Sequence, residues 1–233
     1  MVKKRVYKNA AVEPCDGGFT VELDGHAVKT PAKQCLVIAS AALAEAVAHE
    51  WRAQGEEIRH ETMPNTRYVC TALDRVTPQR GEVIDETVRF AETDLLCYRA
   101  EAPLELTKRQ IAAWQPLLEW AGSRYDARLE TTTGVIAIDQ DRTVLKRLRS
   151  AVKAESDLTL TGLHIATSIS GSLIVALALM EGEIDAERAS AISHIEEHWQ
   201  IERWGEDEEL TERLQNLKRE MSDAHKFILL SRG

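Results

Sequence analysis

Apolar and polar positions change period once along the chain. Over the first 38 residues the period is two. Phe19-Thr20-Val21-Glu22-Leu23 alternates strictly, and Asp24-Gly25 behind it is a tight-turn signal. Tyr7–Val12, Ala27–Thr30 and Cys35–Ile38 are further short runs, separated by Gly17-Gly18 and by Pro31, which cannot donate to a ladder. These runs predict a small antiparallel sheet of hairpins. From Ser40, a good N-cap, the period becomes helical: Leu43, Val47 and Trp51 recur every four residues, and Gly55 supplies a stop.

The helical period then persists. Met63-Pro64 opens a segment through Val76, and Thr77-Pro78 opens one to about Ala91, with proline suited to a first turn. Thr107 caps a segment through Tyr125 that contains Pro116, so that helix is kinked or begins there. Asp141–Val152, an apolar helix over about 160–180, and a helix from Asp185 to about Trp204 follow. Leu210, Leu214, Leu217, Met221, Ala224 and Ile228 form one narrow apolar seam, read as a C-terminal helix docked on its own core. Leu129–Ile138 is β-branched and reads as a lone strand that returns to the N-terminal sheet.

The predicted fold class is α+β, a small N-terminal antiparallel sheet followed by a larger, mainly helical part. The domains are residues 1–60, joined by the strand at 129–138, and residues 61–233. Trp51, Trp120 and Tyr98 are assigned to the core. Leu160 to Met180 contains no Asp, Glu, Lys or Arg, but its continuous apolar part is only Leu173–Met180, so it reads as a buried helix and not a membrane span.

Composition narrows the function. Among 233 residues, 29 are basic and 38 acidic, net −9, which argues against a protein that coats nucleic acid. Cys15, Cys35, Cys70 and Cys97 are scattered, without the paired spacing of a zinc site or a disulfide framework. The start, MVKKRVYKNA, has no apolar signal region. There is no phosphate-binding glycine loop, no dinucleotide turn and no nucleophile elbow; Ser170-Gly171-Ser172 lacks the flanking glycines.

Four constellations carry candidate chemistry. His194-Ile-Glu-Glu-His198 fits an inverted zincin pattern, with His194 and His198 as zinc ligands and Glu197 as general base. Solvated histidines on an acidic helix explain the same residues. Glu196, Glu197, Glu202, Glu206, Asp207, Glu208, Glu209 and Glu212 crowd one region, interleaved with Trp199 and Trp204, a charge run that a solvated face also explains. Aromatic anchors in a dense charge field suit a protein-binding surface for a basic or mixed partner. Asp94 and Arg99 flank Leu95-Leu96-Cys97 and are expected to pair inside the fold. Lys29, Lys33 and Arg67, near the sheet, can hold an anion, and ordinary surface cations explain them equally well.

Taken in order, the motifs resemble one family, the assembly chaperones that escort the alpha subunit of F-type ATP synthase. Leu23-Asp24-Gly25 and Lys29-Thr30-Pro31-Ala32-Lys33 resemble its first strand and turn. Glu50-Trp51 with Gln54, Met63-Pro64, and Thr71-Ala72-Leu73-Asp74 are similar to the next helices. Thr93-Asp94-Leu95-Leu96-Cys97-Tyr98-Arg99-Ala100 is the most specific string. Trp114-Gln115-Pro116 to Trp120, Ser172–Leu179, and Glu196-Glu197, Gln200, Trp204-Gly205-Glu206 complete a match over about residues 5–210. Gln115 stands where the family usually has Asp, and Thr211-Glu212 where it commonly has a His-Asp pair.

The resemblance implies a non-enzymatic chaperone without cofactor, metal or nucleotide. It implies a protein that binds the unassembled alpha subunit, prevents its aggregation and releases it to the beta subunit. Nucleic acid and membrane insertion are not expected. The partner-binding residues it implies are Glu196, Glu197, Gln200, Trp204, Glu206 and Glu208. The expected compartment is a bacterial cytoplasm, or the mitochondrial matrix for a processed eukaryotic chain. The alternatives are a zinc-dependent hydrolase built on His194, Glu197 and His198, and a generic interaction module using the Leu210–Ile228 seam.

Overall fold

The computed structural model describes residues 3–134 and 136–233. Its strands are β1 (Lys3–Lys4), β2 (Ala10–Cys15), β3 (Gly18–Leu23), β4 (His26–Ala27), β5 (Glu57–Ile58), β6 (Tyr98–Arg99) and β7 (Thr132–Thr133). Its helices are α1 (Ala41–Arg52), α2 (Pro64–Thr71), α3 (Arg80–Glu92), α4 (Leu104–Tyr125), α5 (Arg142–Ala154), α6 (Asp157–Ser170), α7 (Leu173–Glu181), α8 (Ala186–Ser193), α9 (Ile195–Trp204) and α10 (Glu208–Arg232). The fold is α+β, a small antiparallel N-terminal sheet followed by a mostly helical remainder. The chain forms two compact units. One takes residues 1–80, 156–162 and 226–233; the other takes 81–155 and 163–225.

In the first unit, β2, β3 and β4 form one antiparallel sheet, with Ala10 opposite Leu23 and Cys15 opposite Gly18. The run expected at Tyr7–Val12 enters the sheet only at Ala10, because Tyr7 turns inward and its hydroxyl donates to the Trp51 carbonyl at 2.7 Å. Gly18 must be glycine: its φ is +145°, and a Cβ there would lie 2.4 Å from the Ile38 carbonyl oxygen. The inner face, Val21, Leu36 and Ile38, is fully buried with Leu43, Ala44, Val47 and Ala48 of α1. Each Val, Leu or Ile side chain among them contributes about 1.5–3 kcal/mol by burial. Ser40 caps α1, its hydroxyl oxygen accepting the Leu43 N–H at 3.2 Å.

Glu50, at the end of α1, is 8% exposed and caps α2. Its two oxygens accept from the backbone and side chain of Asn65 (2.7 and 2.8 Å) and of Thr66 (2.8 and 2.7 Å). These bonds satisfy first-turn donors that have no partner within the helix. Burial nevertheless holds the Glu50 carboxyl above its ordinary range, the hydrogen bonds offsetting only part of that cost. The helix expected to run to Val76 changes at Ala72 into a π-helical turn, Ala72–Val76. Thr77 does not cap α3; its hydroxyl donates to Asp157 at 2.8 Å.

In the second unit the helix expected over 160–180 is broken. Gly171 has φ +68°, and Ser172 starts a new helix by accepting the Val175 N–H at 3.0 Å. Asp94, fully buried, accepts the N–H of Ile174 at 3.2 Å and of Leu96 at 3.1 Å. From Leu173 to Met180 every side chain of α7 is at most 3% exposed, as expected for a central helix. No helix among the described residues is long and apolar enough to cross a membrane.

Several sequence expectations are corrected here. Asp94 does not pair with Arg99, whose guanidinium donates to Gln115 Oε1 at 2.5 Å instead. Trp51 is buried, but Trp120 and Tyr98 are only half-buried; Trp114 and Trp199 fill the interior of this unit. Segment 129–138 contributes only β7, which pairs in parallel with β6 and not with the N-terminal sheet; Val135 of that segment lies outside the described residues. Thr107 does not cap α4, which begins at Leu104 and runs through Pro116; its hydroxyl donates to the Ala100 carbonyl at 2.8 Å. The C-terminal seam faces the core as expected: Leu214, Met221, Ala224 and Ile228 are buried, with Phe227 beside them.

Candidate functional site

The acidic C-terminal region is shaped by a helix break that the sequence does not announce. The single helix expected from Asp185 to Trp204 divides at His194, whose backbone sits at φ −123°, ψ 35°. Three carbonyls before the break are engaged by side chains. Ser193 Oγ donates to Ala189 (2.8 Å), the His194 ring bonds Ser190 (2.9 Å), and the Trp114 indole N–H donates to Ile192 (3.0 Å). Competition of this kind bends helices. It aims α9 separately from α8.

α9 is fastened to α4 along one side. The buried Gln110 amide donates to Glu196 Oε1 at 2.7 Å, while its own oxygen accepts the Ala100 N–H at 2.7 Å. Arg109 grips Glu202 with two nitrogens, at 2.9 and 2.6 Å. The Arg109 hydrogen bond holds the Glu202 carboxyl below the usual range. Arg203 pairs with Glu105 and lies 5.3 Å from the Trp199 ring centre. Glu196 and Glu202 are thus holding the helix in place.

The opposite side is open. Trp199 is 8% exposed; Trp204, edge-on to it with ring centres 5.5 Å apart, is 75% exposed. Gly205, at φ +93°, ends α9. Asp207 caps α10 by accepting the Leu210 N–H at 2.9 Å. The turn between the helices leaves a hollow of about 350 Å³ lined by Gln200, Ile201, Trp204, Leu210 and Arg213. A second hollow beside it is lined by Glu206, Glu208, Thr211 and Glu212. Glu206, Glu208 and Glu212 are exposed.

Of the six residues expected to bind a partner, Gln200 and Trp204 share one hollow, and Glu206 and Glu208 share the next. Glu197 is half-buried on α9 and Glu196 is tied to α4. Sequence reasoning placed Leu210 in the C-terminal seam and missed Ile201 and Arg213 as neighbours of Trp204. The spacing of Ile201 three residues before Trp204 was the available signal. The trio His194, Glu197 and His198 does not converge. The His194 ring is 6% exposed and turned back onto Ser190, while His198 is exposed. Among the described residues, no group of three or more His, Cys, Asp or Glu side chains is placed to hold a metal ion.

Comparison with known proteins gives this surface its context. Residues 4–122 match the family of the ATP12 chaperone protein. The chain belongs to the ATP12 chaperone family, whose members act in ATP synthase assembly. The crystal structure of Atp12 from Paracoccus denitrificans superposes with a TM-score of 0.95 at 40% identity, covering 98% of each chain. A crystal structure of an Agrobacterium tumefaciens protein gives 0.94 at 40% identity, over 100% of this chain and 87% of that one. The mitochondrial protein atp12 of Schizosaccharomyces pombe is 27% identical over 214 residues, 87% of this chain and 74% of its own length. The ATP12 match ends at residue 122, before α9, so the acidic surface lies in the part covered by the whole-chain structural likeness.

Proposed function

We propose that this ATP12-family chaperone binds the unassembled alpha subunit of F-type ATP synthase, keeps it from aggregating and yields it to the beta subunit. The contact surface in this reading is Gln200, Trp204, Glu206 and Glu208, with Glu197 beside them and Glu196 at the anchored edge. One observation carries it: Trp204 stands 75% exposed on the edge of a buried tryptophan, beside a hollow and surrounded by exposed carboxylates. An exposed aromatic on a rigid base is the usual anchor of a protein interface. The carboxylates around it steer a basic or mixed surface.

An orphan subunit exposes apolar surface meant for its neighbours. A reversible escort masks that surface and is displaced by a partner that binds more tightly. The work is done by binding, without cofactor, metal or nucleotide. The bacterial cytoplasm is the compartment favoured, since the bacterial relatives share 40% identity and the mitochondrial one 27%.

The test is dilution of denatured alpha subunit into buffer with and without this protein, in the presence of a chelator. Suppressed light scattering near equal stoichiometry, an isolable complex and its dissolution by beta subunit are expected. Unchanged aggregation and no complex would refute the reading.

A further inference from the structure

The N-terminal unit carries a groove whose chemistry is opposite to that of the acidic surface. It is a hollow of about 810 Å³, within the roughly 300–1,000 Å³ range of ligand pockets. Val28 and Pro31 after β4 form one side, Trp51 of α1 the base, and α2 with the π-helical turn the other side, through Cys70 and Thr71. The Cys70 thiol is neutral there, pushed up to about 11 by burial and the nearby Asp74. Three cations, Lys29, Arg67 and Arg75, stand exposed on its border, with His60 beside them.

The single lining carboxylate, Asp74, is spent internally. It accepts the Thr30 hydroxyl at 2.6 Å and the Ala32 N–H at 3.0 Å, which fixes the turn that carries Lys29 and Pro31. A chain of net charge −9 thus gathers a cationic rim around an apolar trough. The base holds a donor in want of an acceptor: Trp51 is 8% exposed and its indole N–H, buried, has no hydrogen-bond partner among the described residues. Such a donor has given up its bond to water without gaining another. The indole nitrogen is closed off from solvent, so a client acceptor reaches it only by displacing part of the wall. π-helical turns, as at Ala72–Val76, recur at functional sites.

We infer that this groove is a second client-binding site, which takes an extended segment of the unassembled alpha subunit carrying apolar side chains and a carboxylate. The apolar side chains fill the trough, the carboxylate meets Lys29 and Arg67, and a backbone carbonyl accepts the Trp51 N–H. Acidic-apolar client segments go to this unit, and basic or mixed surface to the region of Trp204. The inference rests on the chaperone reading above.

The experiment measures the protein concentration that halves light scattering of diluted alpha subunit, for the parent and two charge-reversed forms. Lys29→Glu with Arg67→Glu should raise that concentration about tenfold at low salt, an effect that shrinks as salt screens it. Lys8→Glu with Lys146→Glu, the same charge change outside the groove, should shift it less than about twofold by the same reasoning. Thermal melting of both should match the parent, because all four side chains are exposed. A photo-crosslinker at Thr71 should label one alpha-subunit segment rich in apolar and acidic residues. Equal behaviour of the two double variants, or no client label from Thr71 while the parent still protects, overturns the inference and leaves the chaperone reading standing. Failure of the parent to protect would remove both.

Discussion

The carboxylate of Asp94 accepts the backbone N–H of Ile174 at 3.2 Å across a separation of 80 residues, and so caps the most buried helix of the protein. Burial pushes this carboxyl up to about 6, although hydrogen bonds from Ser172, Leu96 and Ile174 oppose the shift. Replacing Asp94 with Ala leaves buried N–H groups of Leu96 and Ile174 without acceptors, and urea unfolding should show a loss of about 3 kcal/mol. The pH dependence has a definite sign. The folded state holds the Asp94 proton more tightly than the unfolded chain, so this contribution is full below about pH 4 and declines as pH rises through about 6. Asp94→Asn should lack that decline. Parallel stability curves for parent and Asp94→Asn between pH 4 and 6.5 would contradict the assignment.

A second prediction concerns close helix packing in the N-terminal unit. A Cβ at Gly162 of α6 would lie 2.6 Å from Ile228 Cγ1 and 3.2 Å from the Phe227 ring, on α10. Gly162→Ala should therefore cost about 1–3 kcal/mol despite its better helix propensity. Ile228→Ala removes the clashing atom, so it should cost less in the Gly162→Ala background than in the parent. A double-mutant cycle with coupling below about 0.5 kcal/mol would show that the helices can part freely.

What was legible in the sequence was local. The period-two hairpin at Phe19–Leu23, the Ser40 cap, the helix starts at Asp141 and Asp185, and the buried C-terminal seam follow from residues near one another in the chain. The features that were missed depend on distant partners. The helix divides at Gly171-Ser172 because Asp94 arrives from 80 residues away to cap it. The helix expected from Asp185 to Trp204 divides at His194, where Trp114 takes the Ile192 carbonyl. The candidate site shows the same limit. Glu196 and Glu208 look alike in sequence and both are exposed, yet Glu196 is bonded to the buried Gln110 amide. Likewise nothing local distinguishes buried Trp199 from exposed Trp204.

The histidines should prove structural and dispensable for protection of the client. His194 is buried and bonded to the Ser190 carbonyl, so His194→Ala should lower stability by about 1 kcal/mol. His198 is exposed, and His198→Ala should change stability by less than about 0.5 kcal/mol. Neither substitution, nor a chelator, should alter suppression of alpha-subunit aggregation. Stoichiometric zinc in the purified protein, lost in both variants together with protection, would revive the metal-dependent alternative.

The acidic surface makes the sharpest separation between binding and stability. Trp204→Ala removes an exposed ring from a helix end that stays anchored through Arg109–Glu202 and Arg203–Glu105, so the melting transition should fall only slightly, by the lost edge contact with Trp199. If the ring is the interface anchor, its loss should weaken alpha-subunit binding by about 2 kcal/mol, roughly 30-fold. Glu206→Lys should also weaken binding, more at low salt than at high, with stability unchanged, because the side chain is exposed and lies before α10. Glu208→Lys should weaken binding similarly but cost about 0.3–1 kcal/mol of stability, since a cation replaces an anion in the first turn of α10. Glu196→Lys should lower stability most, because it strips the acceptor from the buried Gln110 amide. Unfolding curves alongside a binding titration of the four variants would separate these effects. Normal binding by Trp204→Ala and Glu206→Lys would move the client surface away from α9.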